Sequence, residues 1–407
     1  MRYRTLLLLL ILSSCVPAQT DTTSADRQRR AEEIAHRYII TDGHVDLPYR
    51  LRILNFRLER EFLPIPLASD EGDFDHRRAV AGGLDAPFLS VYIPARYQDN
   101  GGALALADSL IDMVRGIAEA HPGHFRVART PADLRQNFAE GVMSLPMGME
   151  NGAPIEDKIE RVAYFRNRGI SYVTLTHSKD NLICDSSYDT TATHGGLSAF
   201  GRRVVHEMNR TGIMVDISHV SDSTFWQVME LTDVPCIASH SSVRHFTPGF
   251  ERNMNDAMIQ RLGRENGVIM INFGSTFLDG RLRDRQDSLR AVYRDRLAAA
   301  DLAEDDDAGR RALREAFEAE FPAVYSDVQM VADHIDRVVQ LAGVDHVGLG
   351  SDFDGVGDSL PTGLKDVSDY PNLLAELLRR GYSEADLAKI CSGNLLRVWQ
   401  AVLDAAE

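Results

Sequence analysis

Residues 38–46, YIITDGHVD, open as an apolar, β-branched run and close on His44 and Asp46, two side chains that a buried strand has no packing reason to carry. Seven further short runs have the same shape: PFLSVYIP (87–94), VMSLPMGME (142–150), SYVTLTHS (171–178), GIMVDISHV (212–220), PCIASHSS (235–242), GVIMINFGS (267–275) and HVGLGSDFDG (346–355). Between them, segments such as ALALADSLIDMVRGIAEAH and SAFGRRVVHEMNRTG place apolar residues three and four apart and stop at Pro or Gly, which predicts helices. Eight strands separated by helices predict a parallel α/β architecture closed into a (β/α)8 TIM barrel. The competing open, doubly wound sheet lacks support, because no glycine-rich phosphate turn follows the first strand.

The rest of the 407 residues bounds the chemistry. With 44% hydrophobic residues and 30 Gly the chain buries a large core, and its net charge of −16 repels phosphate backbones, so nucleic acid is excluded as a partner. The N-terminus combines a basic MRYR, an apolar TLLLLLIL and LSSC at 12–15, the pattern of a lipoprotein-type signal with Cys15 as the lipidated residue. Ordinary signal cleavage after Ala18 is the competing reading. Either way the chain is expected to be exported to a bacterial cell envelope, in the periplasm or on the outer membrane, and to meet membrane only through that lipid anchor. Residues 16–30, VPAQTDTTSADRQRR, read as a polar linker, leaving 31–407 as one catalytic barrel domain. Beyond Cys15 only Cys184, Cys236 and Cys391 remain, without a C-x-x-C spacing, so neither a disulfide framework nor sulfur-ligated zinc is expected. Residues 279–320 are dense in both charge signs and rich in helix formers, and are read as a solvated helical insertion between strands seven and eight; a cap over the site is the second reading.

Polar residues collect where the runs end: His44 and Asp46, then Glu150, His177, His219, His240 and Asp352. In a (β/α)8 barrel the C-terminal ends of the strands form one mouth, so positions about 300 residues apart converge. His44 and Asp46 are two apart, so both project from one strand face about 6.6 Å apart, close enough to reach one ion. Three imidazoles and two carboxylates, from His44, Asp46, Glu150, His219 and His240, suit Zn2+ and exceed what one tetrahedral ion takes. Two ions sharing a carboxylate satisfy that set. Any one of these histidines alone reads more readily as a satisfied core residue; five ligand-type residues at matching strand ends do not. His334 is open to either reading, and His76, His206, His245 and His346 read as surface or structural.

Read together, TDGHVDLP, GMENG, YVTLTHS, GLSAFGRRVVHEMNRTGIMVDISHVSD, ASHSSVR, ERNMND, INF, VADHIDRVVQLAG, HVGLGSDFDG and SGNLLRVW resemble, in order from about residue 38 to 400, the membrane (renal) dipeptidases within the metal-dependent hydrolase barrels. The resemblance implies two Zn2+ per chain, His44 and Asp46 on the first, His219 and His240 on the second, and Glu150 bridging both. It implies that a metal-bridging hydroxide hydrolyses the peptide bond of a dipeptide, including dipeptides with a D-residue at the C-terminal position. His177 then contacts the substrate carbonyl, Arg252 the substrate's polar groups, and Asp352 handles the proton. The chain departs from its relatives at Val45, where they usually carry Asn, and at Gly274, where some place a tyrosine.

Two other functions fit the same residues: a binuclear-zinc amidohydrolase acting on another small amide or lactam, and a non-catalytic lipoprotein that binds peptide or metal. Loss of a ligand or of Asp352 would have favoured the second, and neither is lost. The oligomeric state stays open between a monomer and a homodimer.

Overall fold

Ten strands form among the described residues: β1 (Ile40–Val45), β2 (Leu84–Tyr92), β3 (Phe125–Val127), β4 (Met143–Leu145), β5 (Met147–Glu150), β6 (Ile170–Thr174), β7 (Met214–Asp216), β8 (Ile237–Ser241), β9 (Val268–Ile271) and β10 (Val347–Leu349). They belong to a computed structural model that describes residues 23–53, 67–302 and 306–407. Eight of the strands pair in parallel in the order β1-β2-β5-β6-β7-β8-β9-β10. The two ends meet through Asp46 N–H donating to Phe353 O (2.9 Å) and Asp352 N–H donating to His44 O (3.1 Å). The sheet is therefore the expected (β/α)8 barrel, and the backbone that closes it carries three of the residues expected in the site.

The strand alternation sets the two cores. Ala86 and Phe88, Val268 and Met270, each pair two residues apart, face inward with Tyr172, Met214 and Ile237, and are met by Leu396 and Trp399 of the helix Asn394–Asp404. Phe88 stacks on Tyr172 with centroids 5.8 Å apart and meets Trp399 edge-on at 5.3 Å, so the barrel interior is packed side chain. The alternate residues, Leu89, Val91, Ile269 and Ile271, pack outward under the helices. Those helices begin and end where the chain offers caps: Ser198 Oγ accepts the Gly201 N–H at 2.8 Å to start Ala199–Thr211, and Gly212 at φ +75° stops it.

Four expectations change. The run 142–150 is two strands, not one: Pro146 lacks an N–H to continue a ladder, and β4 leaves the barrel to pair with β3, a strand not expected from the sequence. The runs ending at 178, 220 and 355 overshoot, because β6, β7 and β10 stop at Thr174, Asp216 and Leu349; His177, His219 and Asp352 sit in the loops that follow. The folded body begins before residue 31. The helix Ser24–Ala35, capped by Thr23, occupies part of the expected linker and buries Ala31, Ile34 and Ala35. Gln28 Nε2 also donates to Asn372 Oδ1 at 3.1 Å, tying that helix to the chain's far end. The signal segment, Cys15 and residues 16–22 lie outside the described residues. Finally, 279–320 forms the helices Gly280–Ala299 and Asp307–Glu320, as expected, but one face of the first lines the cavity over the barrel mouth through Arg283, Gln286, Asp287 and Arg290.

Candidate active site

Seven of the eight expected site residues surround one cavity of about 800 Å3 at the C-terminal end of the barrel, or form its floor: Asp46, Glu150, His177, His219, His240 and Asp352 line it, and His44 lies beneath, fully buried. A larger recess of about 1240 Å3 shares Gln286, Asp287 and Arg290 with this cavity but holds none of the clustered histidines and carboxylates. Chemistry therefore belongs to the smaller space.

Glu150 ends β5 and points its two oxygens at different imidazoles. Oε2 lies 3.4 Å from His44 Nε2, while Oε1 lies 3.0 Å from His219 Nε2, 3.2 Å from His240 Nε2 and 3.8 Å from His177 Nε2. Asp46 Oδ2 approaches His44 Nε2 at 3.6 Å. Donor atoms close enough to share an ion fall into three overlapping triads: His44, Glu150 and His240; Glu150, His177 and His219; His44, Asp46 and Asp352. The expected set of five is brought together, with His177 and Asp352 within the same reach.

The donor set fits divalent cations on evidence beyond proximity. His44 Nδ1 meets the Tyr172 hydroxyl at 2.9 Å, and that hydroxyl donates to Gly43 O at 3.0 Å, so Nδ1 carries the hydrogen and Nε2 is left without a partner. His240 repeats the device: Ser239 Oγ donates to Asp216 Oδ2 at 2.6 Å and receives the His240 Nδ1–H at 2.7 Å. The nitrogen thus freed, His240 Nε2, faces His219 Nε2 at 2.9 Å beside a carboxylate oxygen. Asp46 Oδ1 is a further buried atom with no partner. Lone pairs and carboxylate oxygens converging in a buried space are costly unless a cation sits among them. Tyr172, Ser239 and Asp216 were not legible as site residues. Asp216 had a signal, an acid inside the apolar run GIMVDISHV, whereas Tyr172 reads as an ordinary strand aromatic.

The electrostatics follow from burial. Desolvation, with Arg252 nearby, holds His219 and His240 well below the ordinary imidazole value, and desolvation lowers His177 against the pull of Glu150; all three favour the neutral, ligating form. Burial also opposes charge on His44 and Glu150. Glu150, Asp46 and the Tyr172 hydroxyl nevertheless raise His44 well above its usual value, and His44 and His177 hold Glu150 well below its own. Burial first, with Asp46 and Glu150 adding, pushes the Asp352 carboxyl up to about 8, against His44 and a 2.8 Å hydrogen bond from Asn272 Nδ2 to Oδ2. A side chain on Gly355 would place its Cβ 2.2 Å from Asp352 Oδ1 and 2.3 Å from Asp46 Oδ2, so both acids need a glycine there. Asp352 and His219 hold φ of +63° and +69°, a backbone region that L-residues visit at a cost and that clusters at functional sites.

Arg252 is the eighth expected residue, and it lies behind the wall. Its terminal nitrogens donate to Ser241 Oγ and His240 O, both at 2.8 Å, its guanidinium lies 5.5 Å from the Phe277 ring, and its Nε has no partner. It braces the β8 end that carries His240. His334, open from sequence, is outside the site: its ring joins Val243 N to Leu278 O.

Comparison with known proteins identifies the family. The family model for membrane dipeptidases, peptidase family M19, matches residues 28–407. The dipeptidase tcpJ of Claviceps purpurea is 32% identical over 373 residues, covering 90% of this chain and 77% of that protein. Among solved structures, the probable dipeptidase PvdM of Pseudomonas aeruginosa superposes with a TM-score of 0.77 at 26% identity, covering 94% of this chain and all of that one. A metallopeptidase from Rhodobacter sphaeroides, solved with a phosphinate mimic of the dipeptide L-Ala-D-Ala, gives 0.72 at 25% identity over 90% of this chain and 99% of that chain. With its barrel, its converging donors and a family match across nearly its whole length, the chain belongs to the membrane dipeptidase family, peptidase family M19, and is a metallodipeptidase.

Proposed function

We propose that this chain hydrolyses the peptide bond of dipeptides, including those with a D-residue at the C-terminal position, with two zinc ions held by His44, Asp46, Glu150, His219 and His240. The observation that carries the two-ion reading is Glu150, whose Oε2 faces His44 while its Oε1 faces His219 and His240. Such ions, when bound, supply Lewis-acid polarisation of the substrate carbonyl and an acidified water as nucleophile. The D-residue reading is supported by the Rhodobacter relative's bound mimic of L-Ala-D-Ala.

The chain's own groups do the rest. His177, in the loop after β6, brings its Nε2 to 3.8 Å from Glu150 Oε1, which supports its role as donor of a hydrogen bond to the carbonyl oxygen as negative charge develops there. Asp352 has Oδ2 tied to Asn272 and Oδ1 free to exchange a proton, so it accepts one from the nucleophile's side and returns it to the departing amine. Arg252 holds His240 in place through its main-chain carbonyl. Tyr92 and Tyr188 add aromatic surface to the cavity lining. The test is turnover by zinc-loaded protein of an L,L and L,D dipeptide panel beside matched N-acyl amino acids, with metal content measured in parallel. Cleavage of dipeptides at two zinc per chain is expected; cleavage of N-acyl amino acids alone would move the assignment to another amidohydrolase.

A further inference from the structure

The insertion helix Gly280–Ala299 carries Arg283, Gln286, Asp287 and Arg290 at the i, i+3, i+4 and i+7 positions of one helical face, and all four line the active-site cavity. Arg283 is the most constrained. Its guanidinium lies 4.9 Å over the ring of Phe250, another cavity residue, and its side chain is 22% exposed. Its Nε is buried without a partner. One terminal nitrogen reaches the Pro248 carbonyl only at 3.5 Å and the exposed carboxylate of Asp284 at 3.4 Å, both long for hydrogen bonds. A planar cation stacked on an aromatic ring with donors to spare is preorganised for a carboxylate. Arg290 adds a second positive charge, offset in part by Asp287 at 3.7 Å.

The other carboxylates of the cavity are already committed, Asp46 and Glu150 to the metal-donor set, Asp352 to its hydrogen bond with Asn272 and Asp354 to Arg50 at 2.8 Å, so Arg283 and Arg290 of the insertion face are the cationic side chains among the residues lining it. We propose that Arg283 is a specificity-determining residue, and that the insertion face selects dipeptides carrying a carboxylate in a side chain. The inference rests on the dipeptidase reading above. One other ligand is weighed by the test: the α-carboxylate common to all dipeptides.

The experiment uses the zinc-loaded full chain and matched dipeptides that differ only as Glu against Gln, placed first or second. Wild type is expected to favour Glu over Gln in kcat/KM by about tenfold at one of the two positions, the scale of one charge-assisted hydrogen bond at a partly exposed site. Arg283→Gln should bring that ratio to about one, and Arg283→Glu should turn the preference toward a Lys-bearing dipeptide, a gain that loss of fold cannot imitate. A wild-type ratio near one at both positions overturns the proposal and leaves the dipeptidase reading standing. So does an Arg283→Gln loss that is equal for Glu and Gln, the mark of an α-carboxylate contact. A wild type that is metal-loaded yet cleaves no dipeptide overturns both.

Discussion

Two kinds of buried histidine occupy this molecule, and the contrast between them locates the chemistry. At the barrel mouth, His44 and His240 each spend Nδ1 on a protein oxygen and leave Nε2 facing Glu150. His334 is as deeply buried, yet spends both nitrogens: Nδ1 accepts the Val243 N–H and Nε2 donates to Leu278 O, each at 2.9 Å. Burial lowers His240 and His334 alike, so neither depth nor a shifted pKa separates ligand from strut. The separating feature is an unspent ring nitrogen that shares its space with a carboxylate.

The largest expected effect tests the shared carboxylate. Glu150→Gln should lower bound metal and cut kcat/KM by ~10^3-fold or more, because both histidine groups lose their common counter-charge. Asp352→Asn should keep the metal but lower kcat by about 10^2–10^4-fold, the range of a lost acid-base group; unchanged turnover would remove Asp352 from the mechanism. Tyr172→Phe removes only the oxygen that receives the His44 N–H, and should weaken metal affinity by about 10–100-fold with the fold intact, as read by competition with a chelator. If affinity does not move, the ring-nitrogen distinction drawn above breaks.

The smallest effect on metal belongs to His334. His334→Ala should leave metal content unchanged while costing about 3 kcal/mol in denaturant unfolding, from two unpaired backbone groups and a cavity. Its pH dependence has a definite sign. Burial, with His245 adding, pulls the folded-state value down to about 4, against the Leu278 carbonyl and Asp279. Between that value and the unfolded ~6.5 the unfolded chain binds more protons, so the stabilisation is complete above 6.5 and falls as pH drops toward 4. The loss is on the order of 3 kcal/mol, and the difference between wild type and His334→Ala should carry that slope. Metal loss in this variant would merge the two classes of histidine.

Much of this was legible before any coordinates. Strand runs with polar ends announced a barrel with a metal mouth, because strand alternation and the barrel's single active face are local and architectural rules. The Pro146 break was visible as a residue but not as a change of partner, since β4 needs β3, a strand too short and mixed to announce itself. Asn272, Tyr172 and Ser239 were invisible as supporting groups for a related reason. Tyr172 reaches His44 across 128 residues and Asn272 reaches Asp352 across 80, contacts that depend on barrel register rather than on neighbours in sequence.

The amino-acid sequence alone determined the eight-strand rhythm, the residues able to hold metal and the extra charged helices, because periodicity, residue chemistry and composition are written position by position. Only the tertiary structure decided which nitrogen of His44 and of His240 stays free, that Arg252 stands behind the wall, and which helix face of the insertion lines the cavity. Those outcomes depend on distances between segments far apart in the chain, which closing the barrel alone brings to hydrogen-bonding range.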